Sequence, residues 1–151
     1  MNSWTTAENN VFAFLNTTLA DTEDTNAFIG EFPANFADLT QDYLWYVALN
    51  GDGTPDEVGA GQSYCGMNAG GIFEGIFKSR ETAQEYALKV RNLMPVATSD
   101  IASIQDLRLT AEPSISRALV DRGSDQTAAG ELRVWRLTIN LSCIILVTSL
   151  E

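Results

Sequence analysis

The sequence predicts a single α+β domain in which two helices pack on one face of a mainly antiparallel sheet. The chain has 151 residues, of which 45% are hydrophobic, and this is enough for one core. Two segments repeat apolar residues at the spacing of an amphipathic helix, and another alternates them at the period of a strand. We therefore assign residues 1–149 to one domain and expect Leu150 and Glu151 to be a cloning remnant.

The two helices are predicted from apolar stripes and from their end signals. The first runs from about Thr5 to Leu19, and Thr5 and Glu8 have the spacing of a capping box. Its stripe consists of Trp4, Ala7, Val11, Phe14, Leu15 and Leu19. The second begins after Ser79, a good N-cap, and ends before Pro95. Its stripe consists of Ala83, Tyr86, Ala87, Val90 and Leu93.

Five strands complete the predicted order α-β-β-α-β-β-β. The first four are Tyr43–Leu49, Ile72–Lys78, Asp106–Thr110 and Ser114–Val120. The last strand alternates apolar and other residues from Trp135 to Val147. Its opposite face begins polar at Arg136 and turns apolar at Ile144 and Leu146. This change indicates a subunit contact or a second packed layer, although a buried strand end explains it equally well.

Two segments between these elements are predicted to be irregular. Residues 27–40 are rich in phenylalanine, and three of these side chains are expected to anchor the segment in the core: Phe28, Phe32 and Phe36. Residues 50–71 contain seven of the eleven glycines, which predicts a long mobile connection. A short strand near Gln62–Met67 could interrupt it.

The segment Asn50–Glu57, NGDGTPDE, resembles part of a calcium loop. If Gly53 takes the sixth position of an EF-hand loop, Asn50 and Asp52 fall on ligand positions. The first and twelfth positions would then be Ala48 and Gly59, so both of the required carboxylates are missing. Asn-Gly and Asp-Gly also favour tight turns. We therefore expect a turn here and assign no metal ligand.

The composition argues against an enzyme and against a cofactor. The chain contains no histidine, which removes the commonest general base and zinc ligand. Cys65 and Cys143 do not form a C-x-x-C motif; a disulfide between them is possible, but we expect both to be reduced. Cys65 has no histidine to activate it, and we expect its thiol to be buried or inert. No run of 18 apolar residues suggests a membrane span, and the first residues do not resemble a secretory signal.

Charge is distributed very unevenly along the chain. Residues 1–77 contain eleven acids and no Lys or Arg, whereas residues 78–151 contain nine acids and all nine basic residues. This argues against a basic surface that grips nucleic acid. Four arginines lie on or beside predicted strands: Arg108, Arg117, Arg133 and Arg136. They protect sheet edges, or they meet the acidic half of a neighbouring copy in a head-to-tail contact. With Ile144 and Leu146, they are the candidate interface residues.

Three segments together resemble a known family. They are the stripe of the first helix, the segment GIFEGIFKSRETAQEYALKVRNLMP (residues 71–95) and the segment ELRVWRLTINLSCIIL (residues 131–146). Their order and pattern are similar to those of the small tail-terminator and tail-completion (minor tail) proteins of long-tailed bacteriophages. The resemblance covers roughly residues 3–148 and is one of pattern, without a residue-level functional signature.

The resemblance implies a structural role without catalysis. Such proteins form a hexameric ring that caps the tail tube and docks to the head. The implied partners are other copies of the chain, the tail tube and head-connector proteins, while DNA passes through without specific binding. The implied location is the virion, and the host cytoplasm during assembly. The connection 50–71 would then become ordered on assembly. Two alternatives remain open: a head–tail connector or neck subunit, and a small acidic binding module that is monomeric or dimeric.

Overall fold

The computed structural model describes residues 4–34, 41–50, 55–57, 64–96, 100–121 and 131–148, for a few of which it describes the backbone alone. These segments contain two helices, α1 (Trp4–Leu19) and α2 (Arg80–Leu93). They also contain seven strands: β1 (Ala27–Ile29), β2 (Tyr43–Asn50), β3 (Pro55–Glu57), β4 (Tyr64–Phe77), β5 (Ile104–Leu109), β6 (Ser114–Asp121) and β7 (Glu131–Thr148).

The seven strands form one sheet around the long antiparallel pair of β4 and β7. On one side, β2 and β3 lie end to end along β4, and β1 adds to β2 as a parallel edge strand. On the other side, β5 and β6 lie end to end along β7. The predicted α+β class with a mainly antiparallel sheet is confirmed. The observed order contains two further short strands, β1 and β3.

Both helices pack on the same face of this sheet. The face is formed by alternate residues of the central strands, including Trp45, Phe73, Phe77, Leu137 and Ile139, all of them buried. α1 buries Ala7, Val11, Phe12, Leu15 and Leu19 against it, and α2 buries Ala83, Tyr86, Ala87 and Val90. The described side chains of the two predicted stripes therefore lie in or against the core, and that of Trp4 lies outside the described part. Phe12 is a buried residue that the stripe did not include, and Phe14 and Leu93 are only partly buried.

Glu8 does not act as the predicted helix cap but supports the edge of the sheet. Its Oε2 accepts a hydrogen bond from the backbone N–H of Leu49, at 2.9 Å. β1 pairs with β2 only as far as Val47, and the N–H of Gly30 donates to the oxygen of Val47. The Glu8 carboxylate therefore supplies an acceptor to a backbone N–H of β2 where β1 ends.

A second, smaller cluster lies on the opposite face of the sheet. Leu44, Ile76 and Val134 are buried there, and Phe28 and Phe32 pack against them. Two of the three predicted phenylalanine anchors therefore contact this small cluster, and Phe36 lies outside the described residues. Residues 27–29 form β1, so the segment is less irregular than the sequence predicts.

The prediction of a long connection over residues 50–71 is wrong for much of that range. Residues 55–57 form β3 and residues 64–71 belong to β4, which also contains part of the short strand predicted near Gln62–Met67. Gly71 lies in β4 for a packing reason: a Cβ there would lie 3.1 Å from the Ala48 carbonyl oxygen. Glycine here allows close approach of two strands instead of marking a loop. NGDGTPDE links β2 to β3, which share β4 as partner, and its residues 51–54 lie outside the described segments.

Gly75 gives a prediction about core packing. A Cβ at this position would lie 2.5 Å from Cε1 of Phe77, whose ring stacks on Tyr43 at a centroid distance of 5.6 Å. We expect Gly75→Ala to lower the free energy of unfolding by at least about 1 kcal/mol, because the ring must move. Urea unfolding measures this. In a Phe77→Leu background, Gly75→Ala should lower the free energy of unfolding by less. An equal loss in both backgrounds would contradict the steric explanation.

Candidate interaction surfaces

The helix-free face of the sheet carries an open groove of about 730 Å³. Its lining combines polar side chains, among them Asn50, Asn68, Arg108 and Asn140, with Gly70 and with apolar residues such as Ile144. Nη2 of Arg108 lies 2.6 Å from Oδ2 of Asp106, and this pair forms one rim. Amides, a backbone strip and a neutralised ion pair can bind a partner through hydrogen bonds.

A cross-strand ion pair lies on the same face, between β4 and β7. The Glu74 side chain is only 12% exposed, and Arg136 donates to its Oε1 from Nη2 at 2.7 Å and from Nε at 3.2 Å. Tyr46 lies opposite Glu74 in the β2–β4 ladder, and its pKa is raised by burial and then by the Glu74 charge. Arg136 thus already has a partner within its own chain.

The structure divides the six candidate interface residues between the two faces of the sheet. Arg108 and Arg136 lie on the helix-free face, beside the groove and in the ion pair with Glu74. Ile144 and Leu146 are partly buried on that face, as the alternation of β7 predicts. Arg117 and Arg133 lie on the helix-bearing face, because β6 and β7 alternate in register with Trp135. Contact with another chain remains a prediction for all six.

An arginine cluster, which we define as Arg80, Arg117 and Arg133 around Trp135, lies where α2 begins. The guanidinium carbons of Arg80 and Arg117 lie 5.5 Å and 5.7 Å from the centroid of the Trp135 ring. Such contacts orient a cation without neutralising it. Arg133 lies two residues before Trp135 in β7, on the same face, and all three arginines are exposed. Arg80 could not be included from sequence, because only the fold brings the start of α2 to Trp135.

A hydrogen-bonded cluster, which we call the Asp21 cluster, connects the end of α1 to β2 and α2. The Asp21 carboxylate accepts hydrogen bonds from the Tyr43 hydroxyl, from Nε1 of Trp45 at 2.7 Å and from the Tyr86 hydroxyl at 2.9 Å. The two tyrosine hydroxyls also lie 2.7 Å apart. Every donor has an acceptor, which is typical of a structural network. No sequence signal distinguishes Asp21 from the other acids of this polar link.

Burial disfavours the ionised form of the described tyrosine and cysteine side chains. The pKa values of Tyr43 and Tyr86 are raised above 10.0, first by burial, and then by the hydrogen bond to Asp21 for Tyr43 and by those to Tyr43 and Asp21 for Tyr86. Cys143 is a free thiol, and burial raises its pKa from 9.0 to about 11. This thiol is therefore poorly suited to act as a nucleophile at neutral pH.

These shifts predict a loss of stability in alkaline solution. The unfolded chain releases the Cys143 proton near pH 9.0, whereas the folded chain holds it to about 11. The stabilising contribution is therefore complete below pH 9.0 and is lost as the pH rises towards 11. The raised pKa values of Tyr43 and Tyr86 predict a further loss of stability as the pH rises above 10.0. Urea unfolding over a pH series should show this decline, with a later onset in Cys143→Ala. A constant free energy of unfolding would contradict it.

Within the described segments, no group of three or more acidic or cysteine residues is arranged to hold a metal ion. Of the helices described here, neither α1 nor α2 has the length and apolar character that crossing a bilayer requires. A scan against protein-family models and a search of curated proteins found no match to this chain.

Proposed function

We propose that this chain is a non-enzymatic structural protein of a tailed bacteriophage, the subunit of a homo-oligomeric ring that caps the tail tube and joins it to the head. The observation that carries the proposal is the division of charge, with no Lys or Arg before residue 78 in a chain of net charge −11. Charge segregated within one small domain favours a head-to-tail contact, and such contacts close into rings when the rotation allows.

The position in the virion is supported by the sequence resemblance. Its two longest segments, residues 71–95 and 131–146, form the end of β4 with α2 and most of β7. β4 and β7 are neighbours at the centre of the sheet, so the resemblance involves the framework of the fold. The net charge also suits passage of DNA, because a negatively charged ring repels it and does not retain it.

Assembly on tail tubes tests this proposal. Light scattering and negative-stain microscopy should show rings of one size, and added protein should stop the growth of purified tail tubes at a fixed length. Heat-unfolded protein is the control for the second measurement. A chain that stays monomeric and leaves tube growth unchanged would contradict the proposal. Rings that bind the head connector but not tubes would instead favour a connector or neck subunit.

A second candidate function is a small binding module, which the groove on the helix-free face favours. A space of about 730 Å³ lined by amide side chains could hold a polar ligand or a peptide. Screening polar fragments by NMR tests this function. Shifts confined to Asn50, Asn68 and Asn140 in a strictly monomeric chain would favour it over the ring. Uniformly weak shifts over the whole surface would count against it.

A further inference from the structure

The two lateral edges of the sheet carry opposite charge at the same end. Across this end, Tyr43 of β2 pairs with Phe77, Phe77 with Trp135, and Trp135 with Arg117 of the edge strand β6. At the other edge, the N–H of Trp45 donates to the oxygen of Asn26, just before β1. Glu23 forms a parallel bridge to Ala27, the first residue of β1, and the Asp24 N–H donates to the Ala27 oxygen, so both acids lie beside β1 at this same end, and both are exposed. We call Glu23 and Asp24 the acidic edge.

The acidic edge and the arginine cluster cannot neutralise each other within one copy. Four strand spacings separate β1 from β6, which amounts to about 19 Å. The Debye length at physiological salt is about 8 Å, so their attraction within the chain is largely screened. Among the described residues, the ion pairs of the molecule involve neither Glu23 nor Asp24, and none of the three clustered arginines.

The strand directions allow the two edges to meet in a second copy. β1 is parallel to β2, and the pairings from β2 through β4 and β7 to β6 are all antiparallel, so β6 runs opposite to β1. If two copies stand side by side in the same orientation, β6 of one copy lies antiparallel to β1 of the next. Arg117 then lies at the end where Glu23 and Asp24 lie.

We propose that the arginine cluster of one copy binds the acidic edge of the next copy, so that the sheets of neighbouring copies meet edge to edge. This inference rests on the ring of the proposed function and identifies its contact surface. The contact is heterologous, because two different surfaces meet, and opposite charge sets its orientation. Trp135 holds Arg80 and Arg117 in position, which reduces the entropy lost when they pair.

An acidic protein surface fits the arginine cluster better than nucleic acid does. Three arginines on a chain of net charge −11 form a local patch, whereas phosphate backbones are bound by extended rows of basic residues. A second copy supplies the complementary carboxylates at every contact of a ring. Binding of duplex DNA to the cluster is therefore an alternative that the experiment must be able to detect.

Charge reversal with rescue tests the contact. The double variant Arg117→Glu, Arg133→Glu reverses two charges of the arginine cluster. The double variant Glu23→Arg, Asp24→Asn reverses one charge of the acidic edge and removes the other. Asparagine suits position 24, where φ is 61° and the backbone is left-handed. Each variant should weaken self-association roughly tenfold or more, and the variant that combines all four changes should recover most of it. Lys89→Glu is the matched control, since Lys89 is exposed on α2 and should leave association unchanged.

Sedimentation velocity measures association, and circular dichroism checks that each variant is folded. Rings of wild-type strength in both reversed variants would overturn this inference and leave the proposed function standing. A wild-type chain that stays monomeric and does not act on tail tubes would overturn both. Loss of duplex DNA binding in the Arg117→Glu, Arg133→Glu variant, without a change in self-association, would overturn the contact in favour of nucleic acid.

Discussion

Replacing Asp21 with alanine is expected to lower the free energy of unfolding by about 3 kcal/mol. The carboxylate accepts hydrogen bonds from Tyr43, Trp45 and Tyr86. In the variant, the two tyrosine hydroxyls can still bond to each other, but Nε1 of Trp45, a fully buried residue, has lost its acceptor. A buried donor without a partner bears the cost of its lost hydration. Urea unfolding measures the difference.

The control for Asp21 is another acid at the same end of the sheet. Asp42 precedes β2 and is exposed, so Asp42→Ala should change the free energy of unfolding by no more than about 0.5 kcal/mol. In a Trp45→Phe background, Asp21→Ala should cost less than in the wild type, because the indole donor is already absent. Equal costs for Asp21→Ala and Asp42→Ala would show that the Asp21 cluster does not hold α1, β2 and α2 together.

Arg136→Ala is expected to lower the free energy of unfolding by about 2 kcal/mol. The substitution leaves the Glu74 carboxylate, 12% exposed, without its cationic partner. Arg136 itself is half exposed, so solvent screening keeps the effect below that of a fully buried pair. The expected loss is a property of the single chain and should appear at concentrations where no copies associate.

Neutralising Glu74 tests the explanation for Arg136. Glu74→Gln in the Arg136→Ala background should recover part of the lost stability, because an amide is less costly to bury than an unpaired carboxylate. Arg108→Ala is a matched control, since its ion pair with Asp106 is exposed on both sides and should contribute little. If Arg136→Ala unfolds like the wild type but associates less well, Arg136 would be an interface residue, as the sequence suggests.

The helices and the last strand could be predicted because their signals are periodic and long. The stripes of α1 and α2 place most of their residues in the core, and the alternation of β7 correctly separates the two faces of the sheet. β1 and β3 have three residues each, which is too short for a period to be recognised. The sequence suggests only a short strand near Gln62–Met67 where β4 begins, and it does not join this strand to Ile72–Lys78, because the glycines between them are also typical of a loop.

The candidate surfaces depend on information that a linear sequence does not contain. The sequence assigns Arg117 and Arg136 to strands, but only the register of β6 on β7 shows that they face opposite sides. The arginine cluster and the Asp21 cluster each join elements that are far apart in the chain. For example, Asp21 and Tyr86 are 65 residues apart. Side chains that meet through tertiary contacts alone leave no local pattern.

The most direct test of the central claim is the mass of the assembled chain, measured by light scattering for the wild type, the two reversed variants and the combined variant. Our account predicts one discrete ring mass for the wild type, a shift to monomer in either reversed variant, and recovery of the ring mass when both sides are exchanged. A monomeric mass for the wild type at all concentrations and salt conditions, with or without tail tubes, would contradict it.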